Sequence, residues 1–179
     1  MSQPGKRLFL IFSVISANVA FDQLSKFIVR TSVTPDERTN VLGDFLVLTR
    51  VENTGAFLSA GSGWPDSLRL IVLTILPTLL LLYGMYWITQ RKDFTTTQLI
   101  GWCCVMGGGI GNIYDRIVHE SVTDFLHMGF ESLRTGIFNI ADVSIVVGIG
   151  LIMLSMWKQN RTSKKAEADS AEADTLASN

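Results

Sequence analysis

The chain has 179 residues, of which 47% are hydrophobic and 17% are charged, with a formal net charge of −1 and a mean hydropathy of +0.32. This composition is too apolar for an ordinary soluble domain of this size and favours an integral membrane protein. The near-neutral charge gives no reason to expect a nucleic acid partner.

Four apolar segments are long enough to cross a bilayer as helices. They comprise residues 8–29, 68–89, 98–118 and 137–157. Lys6 and Arg7 precede the first segment, as they would in a cleaved signal peptide. Its apolar character continues past Ala20 to Val29, however, and no A-x-A cleavage site is present. We therefore predict four membrane helices in one domain, residues 1–159.

Basic residues predict the orientation of these helices. Lys6 and Arg7 precede the first helix, Arg91 and Lys92 lie between the second and third, and Lys158, Arg161, Lys164 and Lys165 follow the last. Because cytoplasmic connections are enriched in Lys and Arg, both termini are predicted to be cytoplasmic. Residues 160–179 mix charged residues with Ala and Ser and lack apolar periodicity, so we predict a disordered cytoplasmic tail there.

The two connections on the opposite side of the membrane have structure of their own. Residues 44–51 are rich in β-branched and aromatic side chains and predict a short strand or hairpin on the outer face. The residues from His119 to Gly136 place apolar side chains among polar ones, a pattern typical of an interfacial helix or flap. The predicted fold class is an all-α membrane protein of four transmembrane helices, with a small extracytoplasmic β-structure and an interfacial helix.

Polar residues gather at the outer end of the predicted helices. The first helix carries Asn18, Asp22, Ser25 and Lys26, the third carries Gly108, Gly111, Asn112, Asp115 and Arg116, the fourth carries Asn139 and Asp142, and the outer connections carry Asn53 and Asp124. Ionisable groups at membrane depth are costly and are candidate functional groups by default. The outer end is therefore the predicted location of the functional site.

Several of these residues also have a purely structural interpretation. Asp22 and Lys26 are one helical turn apart and can neutralise each other. The glycines around Gly108 can allow helices to pack closely. Asp115 and Arg116 can form an ion pair at the membrane interface as readily as they can orient a substrate. For these residues the sequence leaves both interpretations open.

Asp124 and Asp142 have no comparable structural explanation. Neither has a basic neighbour one helical turn away, which leaves Arg116 as a candidate partner in three dimensions. Two carboxylates close together resist double ionisation and tend to share one proton. One can then activate a water molecule while the other donates a proton to a carbonyl, which is the chemistry of an aspartic protease.

Other kinds of site fit these residues less well. Ser25 and Lys26 point about 100° apart on a helix, which is poor geometry for a serine–lysine dyad, and a G-x-S-x-G elbow is absent. A metal site of His119, Asp124 and His127 is a further alternative. Two non-protease interpretations also stay open: a small transporter subunit whose acids relay protons, and an assembly factor with structural ion pairs.

Five short blocks of the sequence resemble those of the bacterial lipoprotein signal peptidases, the signal peptidase II family of intramembrane aspartic proteases. The blocks are Asp22–Lys26, Asn53–Phe57, Gly108–Arg116, Val122–Phe125 and Phe138–Asp142, and the resemblance covers residues 8–157. The chain departs from the family pattern in three places. A single alanine, Ala56, precedes a phenylalanine where two are usual, Tyr114 replaces an aliphatic residue, and Val143 replaces a small one.

The resemblance implies that Asp124 and Asp142 are the catalytic dyad of an enzyme that cuts diacylglyceryl-modified prolipoproteins on the N-terminal side of the lipidated cysteine. The residues it implies for substrate binding or dyad support are Asn53, Gly55, Asn112, Arg116, Asn139, Asp115, Asp22, Lys26 and Gly108. It also implies a four-helix domain in the bacterial inner membrane, with an outer β-cradle and a periplasmic helix. No metal or other cofactor is implied. Membrane lipids and globomycin-type cyclic peptides are expected ligands, and a monomer is expected.

Overall fold

The computed structural model describes residues 4–56, 60–130 and 133–177, with side chains up to residue 164. In chain order the elements are α1 (Pro4–Ser32), β1 (Arg38–Leu42), β2 (Leu46–Asn53), α2 (Asp66–Arg69), a π-helical segment (Leu70–Ile75), α3 (Leu76–Gln90), α4 (Thr96–His119), β3 (Val122–Phe130), β4 (Leu133–Phe138) and α5 (Ile140–Ala177). The segments α2, π and α3 follow one another directly as one long helical stretch.

Helices occupy all four segments that were predicted to span the membrane. Three of them are long and apolar enough to do so: Pro4–Ser32, Asp66–Gln90 and Ile140–Lys164. The remaining predicted span, residues 98–118, is helical as α4 but falls outside this group, because glycines and the polar residues of its second half lower its hydropathy. Large apolar side chains such as Phe12 are exposed on the helices, as expected for surfaces that face lipid.

Helix α4 packs between α1, α3 and α5. It begins with a capping box in which Thr95 and Gln98 exchange side-chain and backbone hydrogen bonds. Small residues then bring α4 against α5, since a Cβ atom on Gly101 would lie 2.7 Å from the carbonyl oxygen of Gly148. An apolar core fills the part of the bundle near the start of α4 and comprises Ile11, Ile15, Ile88, Leu99, Cys103 and Met106.

The strands form one antiparallel sheet in the order β1-β2-β3-β4. Strand β2 confirms the strand predicted at residues 44–51 and pairs with β3, with Asn53 opposite Val122. Of the two alternatives predicted between His119 and Gly136, the interfacial helix is wrong, because this region forms the β3–β4 hairpin, and the flap stays a prediction. Its backbone finds hydrogen-bond partners on β2, far away in the sequence, and Gly129 has φ near 129°, a conformation outside any helix.

The two ends of the bundle differ in chemistry. At one end Arg7 donates a hydrogen bond to the carbonyl of Ile88 at 2.7 Å, which places the start of α1 beside the end of α3. At the other end Arg30 donates through Nε to the hydroxyl of Thr123 on β3 at 2.7 Å. The sheet therefore lies at the end of the bundle that carries the polar residues singled out in the sequence.

Helix α5 continues to Ala177, whereas the sequence predicted disorder from residue 160. Residues 160–177 contain no Gly or Pro and are rich in Ala, Glu and Lys, which are strong helix formers. A helix already nucleated by packing can propagate through such a segment at little cost. The structure thus differs from the predicted tail up to Ala177, and residues 178–179 lie outside the described part of the chain.

The contact between α4 and α5 yields a first prediction. A Cβ atom on Gly148 would lie 2.5 Å from the carbonyl oxygen of Gly101, whereas one on Gly150 would meet nothing within 4 Å. We expect Gly148→Ala to destabilise the protein by about 1–3 kcal/mol through overpacking. Gly150→Ala, on the same helix, should leave stability unchanged or raise it by up to about 1 kcal/mol. Thermal unfolding in detergent micelles measures both, and equal melting temperatures would contradict the close packing.

Candidate active site

Asp124 and Asp142, the two acids singled out in the sequence, line the same cavity. Asp124 lies on β3 and is only 4% exposed, and Asp142 lies half-buried in the first turn of α5. The cavity has a volume of about 170 Å³, and its lining residues are Asn53, Ala56, Asn112, Arg116, Val122, Asp124, Ile137, Asn139 and Asp142. We refer to Asp124 and Asp142 as the dyad and to this space as the dyad cavity.

Asn139 connects the two acids. Its side-chain NH₂ donates to Oδ1 of Asp124 at 2.7 Å, and its backbone N–H donates to Oδ2 of Asp142 at 3.1 Å. In return, its side-chain oxygen accepts the backbone N–H of Asp142 at 3.0 Å, a reciprocal pattern like that of a capping box. Asn139 therefore fixes the position of Asp142 at the start of α5, and it also holds Asp124 close to Asp142.

Two further asparagines complete the hydrogen bonding of the dyad. Asn53, at the end of β2, donates to Oδ2 of Asp124 at 2.9 Å, and Asn112 on α4 donates to Oδ1 of Asp142 at 2.9 Å. The side-chain oxygen of Asn53 also accepts the backbone N–H of Gly55 at 2.9 Å, which fixes its orientation. All four carboxylate oxygens of the dyad thus accept a hydrogen bond from an asparagine.

The ionisation of Asp124 reflects this environment. Burial away from water raises the pKa of Asp124 to about 6, against the effect of the hydrogen bonds from Asn53 and Asn139, which lower it, and with a smaller upward contribution from nearby Asp142. Asp124 is therefore protonated below about pH 6 and ionised above it. An acid that changes charge in this range is suited to general acid–base chemistry.

Arg116 lines the dyad cavity but does not pair with the dyad. Its guanidinium donates to the carbonyl of Gly55 at 3.0 Å and to that of Asn112 at 3.4 Å. Within the described residues it forms no ion pair with either dyad acid, and its buried Nε–H has no hydrogen-bond partner there. Arg116 also lines a larger neighbouring cavity of about 440 Å³, together with Thr54 and Leu73. Its charge thus borders both cavities.

Beside the dyad cavity lies a buried cluster of charges. The ammonium group of Lys26 contacts Oδ2 of Asp22 at 2.8 Å and Oδ2 of Asp115 at 3.0 Å, and all three residues are completely buried. The predicted pair of Asp22 and Lys26 is therefore present, with Asp115 as a second partner. Asp115 pairs with Lys26 and with Arg30 at 3.0 Å rather than with Arg116, its neighbour in sequence, because adjacent residues of a helix face different directions.

This cluster also holds the backbone next to each dyad acid. Oδ1 of Asp22 accepts the backbone N–H of Ala141 at 3.0 Å, and Oδ2 of Asp115 accepts that of Thr123 at 3.3 Å. Each of these two donors directly precedes a dyad aspartate in the chain. The buried charges consequently fix the main chain on which both acids stand.

Sequence reasoning missed two members of this cluster, Gln23 and Arg30. The side-chain NH₂ of Gln23 lies within hydrogen-bond distance of carboxylate oxygens of both Asp22 and Asp115, at 3.1 and 3.0 Å. Arg30 follows Lys26 by one helical turn and faces the same side of α1. That one-turn spacing was the signal that could have identified Arg30. Gln23 carries no charge and gave no signal beyond its position next to Asp22.

The two glycines among the predicted site residues have packing roles. A Cβ atom on Gly108 would lie 2.8 Å from the side chain of Ile145, so its absence allows α4 and α5 to approach near the dyad cavity. Gly55 contributes backbone groups only, its N–H to Asn53 and its carbonyl to Arg116. The loop after β2 is thereby hydrogen-bonded to two residues that line the dyad cavity, Asn53 and Arg116.

The alternative sites considered from the sequence are not assembled in the structure. Within the described part of the chain, no three His, Cys, Asp or Glu side chains are grouped closely enough to hold a metal ion. His119 contacts Arg30 at 3.0 Å instead. The hydroxyl of Ser25 donates to the backbone carbonyl of Asp22 at 2.7 Å, which occupies it as part of the helix.

Comparison with known families gives a match over most of the chain. Residues 14–158 match the family model of signal peptidase (SPase) II. The chain is 37% identical over 154 residues to the lipoprotein signal peptidase of Treponema denticola, which covers 82% of this chain and 88% of the relative. It is 34% identical over 152 residues to that of Neisseria meningitidis serogroup C, which covers 83% and 90%.

Two solved structures of bacterial membrane enzymes have a similar fold. A bacterial membrane enzyme solved by the in meso method aligns with a TM-score of 0.74 and 25% identity, covering 84% of this chain and 89% of its own. A second bacterial membrane enzyme solved in the same way aligns with a TM-score of 0.68 and 24% identity, covering 82% and 92%, and supports the fold alone.

The hydrogen bond from Asn53 to Asp124 can be tested by titration. We expect Asn53→Ala to raise the pKa of Asp124 further, because the ionised carboxylate loses a donor. The pH at which Asp124 ionises can be followed by carboxyl-carbon NMR of ¹³C-aspartate-labelled protein, with Asp124→Asn to identify the signal. Asn40→Ala is the matched control, since among the described residues the side chain of Asn40 bonds only that of exposed Asp44. An unchanged or lowered pKa in Asn53→Ala would contradict the arrangement.

Proposed function

Because the chain belongs to the signal peptidase II family, we propose that it is an aspartic endopeptidase that cuts diacylglyceryl-modified prolipoproteins on the N-terminal side of the lipidated cysteine. Family membership makes it a bacterial membrane protease that removes signal peptides from prolipoproteins. The observation that carries the aspartic mechanism is the dyad itself: two acids, held by one asparagine, in one cavity.

In the proposed reaction, water attacks the scissile carbonyl directly. The ionised acid takes a proton from the water molecule, while the protonated acid donates its proton to the carbonyl oxygen. The first acid then gives the proton from water to the departing amine as the C–N bond breaks, and the second acid regains its proton as the carbonyl re-forms. We assign the protonated role to Asp124, because burial raises its pKa. We assign the base role to Asp142, which stands in the first turn of α5, where the helix dipole favours a negative charge.

Neighbouring groups have supporting roles in this scheme. The three asparagines keep the dyad carboxylates oriented without adding a charge. Arg116 borders the dyad cavity and has an unpartnered Nε–H among the described residues, so we assign it to binding a carbonyl group of the substrate. The larger cavity beside Arg116 offers room for the polypeptide next to the cleaved bond.

The proposed placement in the membrane follows the chemistry of the two bundle ends. We propose that the protein crosses the bacterial inner membrane four times, with α4 as the third span in chain order and both termini in the cytoplasm. The end bearing Arg7, Arg91 and Lys92 would face the cytoplasm, and the sheet would cover the outer face. A membrane-embedded signal helix could then lie against the exposed apolar faces while water reaches the dyad from outside.

The central prediction concerns the dyad. We expect Asp124→Asn and Asp142→Asn each to reduce cleavage of a diacylglyceryl-modified prolipoprotein by about 10²- to 10⁴-fold or more, because each removes one partner of the acid–base pair. The measurement is cleavage by the purified protein in detergent, with melting temperature and membrane insertion recorded for each variant. A variant that keeps its activity would remove the dyad mechanism, whereas wild-type protein that cuts no prolipoprotein would favour a transporter or an assembly factor.

Three controls accompany this assay. Asp44→Asn alters an exposed acid on the same sheet and should leave cleavage unchanged. An unlipidated prolipoprotein should not be cut, and a chelator should have no effect. A globomycin-type cyclic peptide should inhibit cleavage by occupying the dyad cavity.

The proposed topology predicts which connections are accessible from outside. A cysteine replacing Asp44, on the sheet, should react with a membrane-impermeant maleimide in intact cells, whereas one replacing Asp93, between α3 and α4, should react only after solubilisation. Reaction of the Asp93→Cys variant in intact cells would contradict cytoplasmic termini.

A further inference from the structure

The ammonium group of Lys26 has three N–H bonds and three acceptors. Two are the carboxylates of Asp22 and Asp115, at 2.8 and 3.0 Å. The third is the side-chain oxygen of Asn112, at 3.0 Å. An ammonium group has three donors, so this set uses its full capacity in a place without access to water. The two carboxylates balance its charge together with that of Arg30, but the third contact is to a neutral amide, which needs a separate explanation.

The explanation lies at the other end of the Asn112 amide. Its oxygen accepts from Lys26 and also from the side-chain NH₂ of Asn139 at 3.2 Å, while its own NH₂ donates to Asp142 at 2.9 Å. If the amide were turned over, its NH₂ would face the ammonium group and another NH₂. Its oxygen would then face a carboxylate. All three contacts would become unfavourable, so the amide has one stable orientation.

We propose that Lys26 is a positioning residue for proteolysis, which holds the Asn112 amide in the one orientation that donates a hydrogen bond to Asp142. Its catalytic consequence rests on the proposed function, whereas the orientation itself does not. A buried positive charge thereby acts on the dyad through an intervening amide, and never contacts the substrate.

A simple removal of Lys26 would leave two buried carboxylates short of positive charge and would endanger folding. The test therefore uses the paired substitution Lys26→Met with Asp22→Asn, which leaves Asp115 and Arg30 as a direct ion pair at 3.0 Å. It is compared with Asn112→Ala and with the triple variant, which combines all three substitutions. The matched control is Arg91→Met with Asp93→Asn, a charge-balanced change of an exposed pair outside the site.

If Lys26 acts through Asn112, the paired variant and Asn112→Ala should each lower kcat by about 10- to 100-fold while KM changes little. The triple variant should be no slower than Asn112→Ala alone, because Asn112→Ala already removes the amide through which Lys26 acts on Asp142. The control pair should keep full activity. The inference would be overturned if the fold-loss of kcat in the triple variant equalled the product of the losses in the paired variant and in Asn112→Ala. A normal kcat in the paired variant would also overturn it.

A second measurement needs no cleavage and uses a variant only to assign one NMR signal. In ¹⁵N-asparagine-labelled wild-type protein, the side-chain NH₂ of Asn112, assigned by its loss in Asn112→Ala, should exchange its hydrogens at least about tenfold more slowly than that of exposed Asn160. Equal exchange rates would overturn the proposed orientation. Wild-type protein that fails to cut the lipidated substrate would instead count against the proposed function, while this exchange rate would still decide the orientation.

Discussion

A charge removed from water must find its counter-charge inside the protein, and in this molecule that requirement joins the elements that build the site. Lys26 lies fully buried between two carboxylates, one on its own helix α1 and one on α4. The same carboxylates accept backbone N–H groups at the start of β3 and of α5. Breaking any one of these contacts would leave a buried ionic group unsatisfied, at a cost of several kcal/mol. Four elements are therefore held at a single point.

The dyad itself is held by a different kind of group. Asparagine amides contact both acids, and the nearby cations on the described chain contact other partners. A cation in direct contact would favour the ionised form of each acid and hinder the protonated form that the proposed mechanism needs. Neutral amides also favour the ionised form, but at Asp124 their effect on the pKa is outweighed by burial, which raises it. The arrangement thus separates two tasks, with charges fixing the backbone and neutral donors holding the acids.

Much of this was predictable from the sequence, since the length of the apolar segments indicated the helices, and the polar residues near one end of those helices indicated the location of the candidate site. The β3–β4 hairpin was not, because its pairing with β2 joins residues such as Asn53 and Val122 that are distant in the chain. The contacts made by the backbone of Ala141 and Thr123 were also out of reach, since a main-chain N–H leaves no mark in the sequence. The extent of α5 was not predicted either. Residues 160–177 lack an apolar stripe, which suggested disorder, but their high helix propensity favours continuation of the helix.

The dyad draws one acid from the sheet and the other from the last helix, and this has a consequence for biosynthesis. Asp124 reaches its place only when β3 pairs with β2, and Asp142 only when α5 has packed against α4. Neither acid alone forms the pair. Under the proposed function, a nascent chain that is still being inserted would therefore carry no working catalyst, and hydrolytic activity would arise only after both packing steps, which would keep an unfinished enzyme from cutting neighbouring membrane proteins.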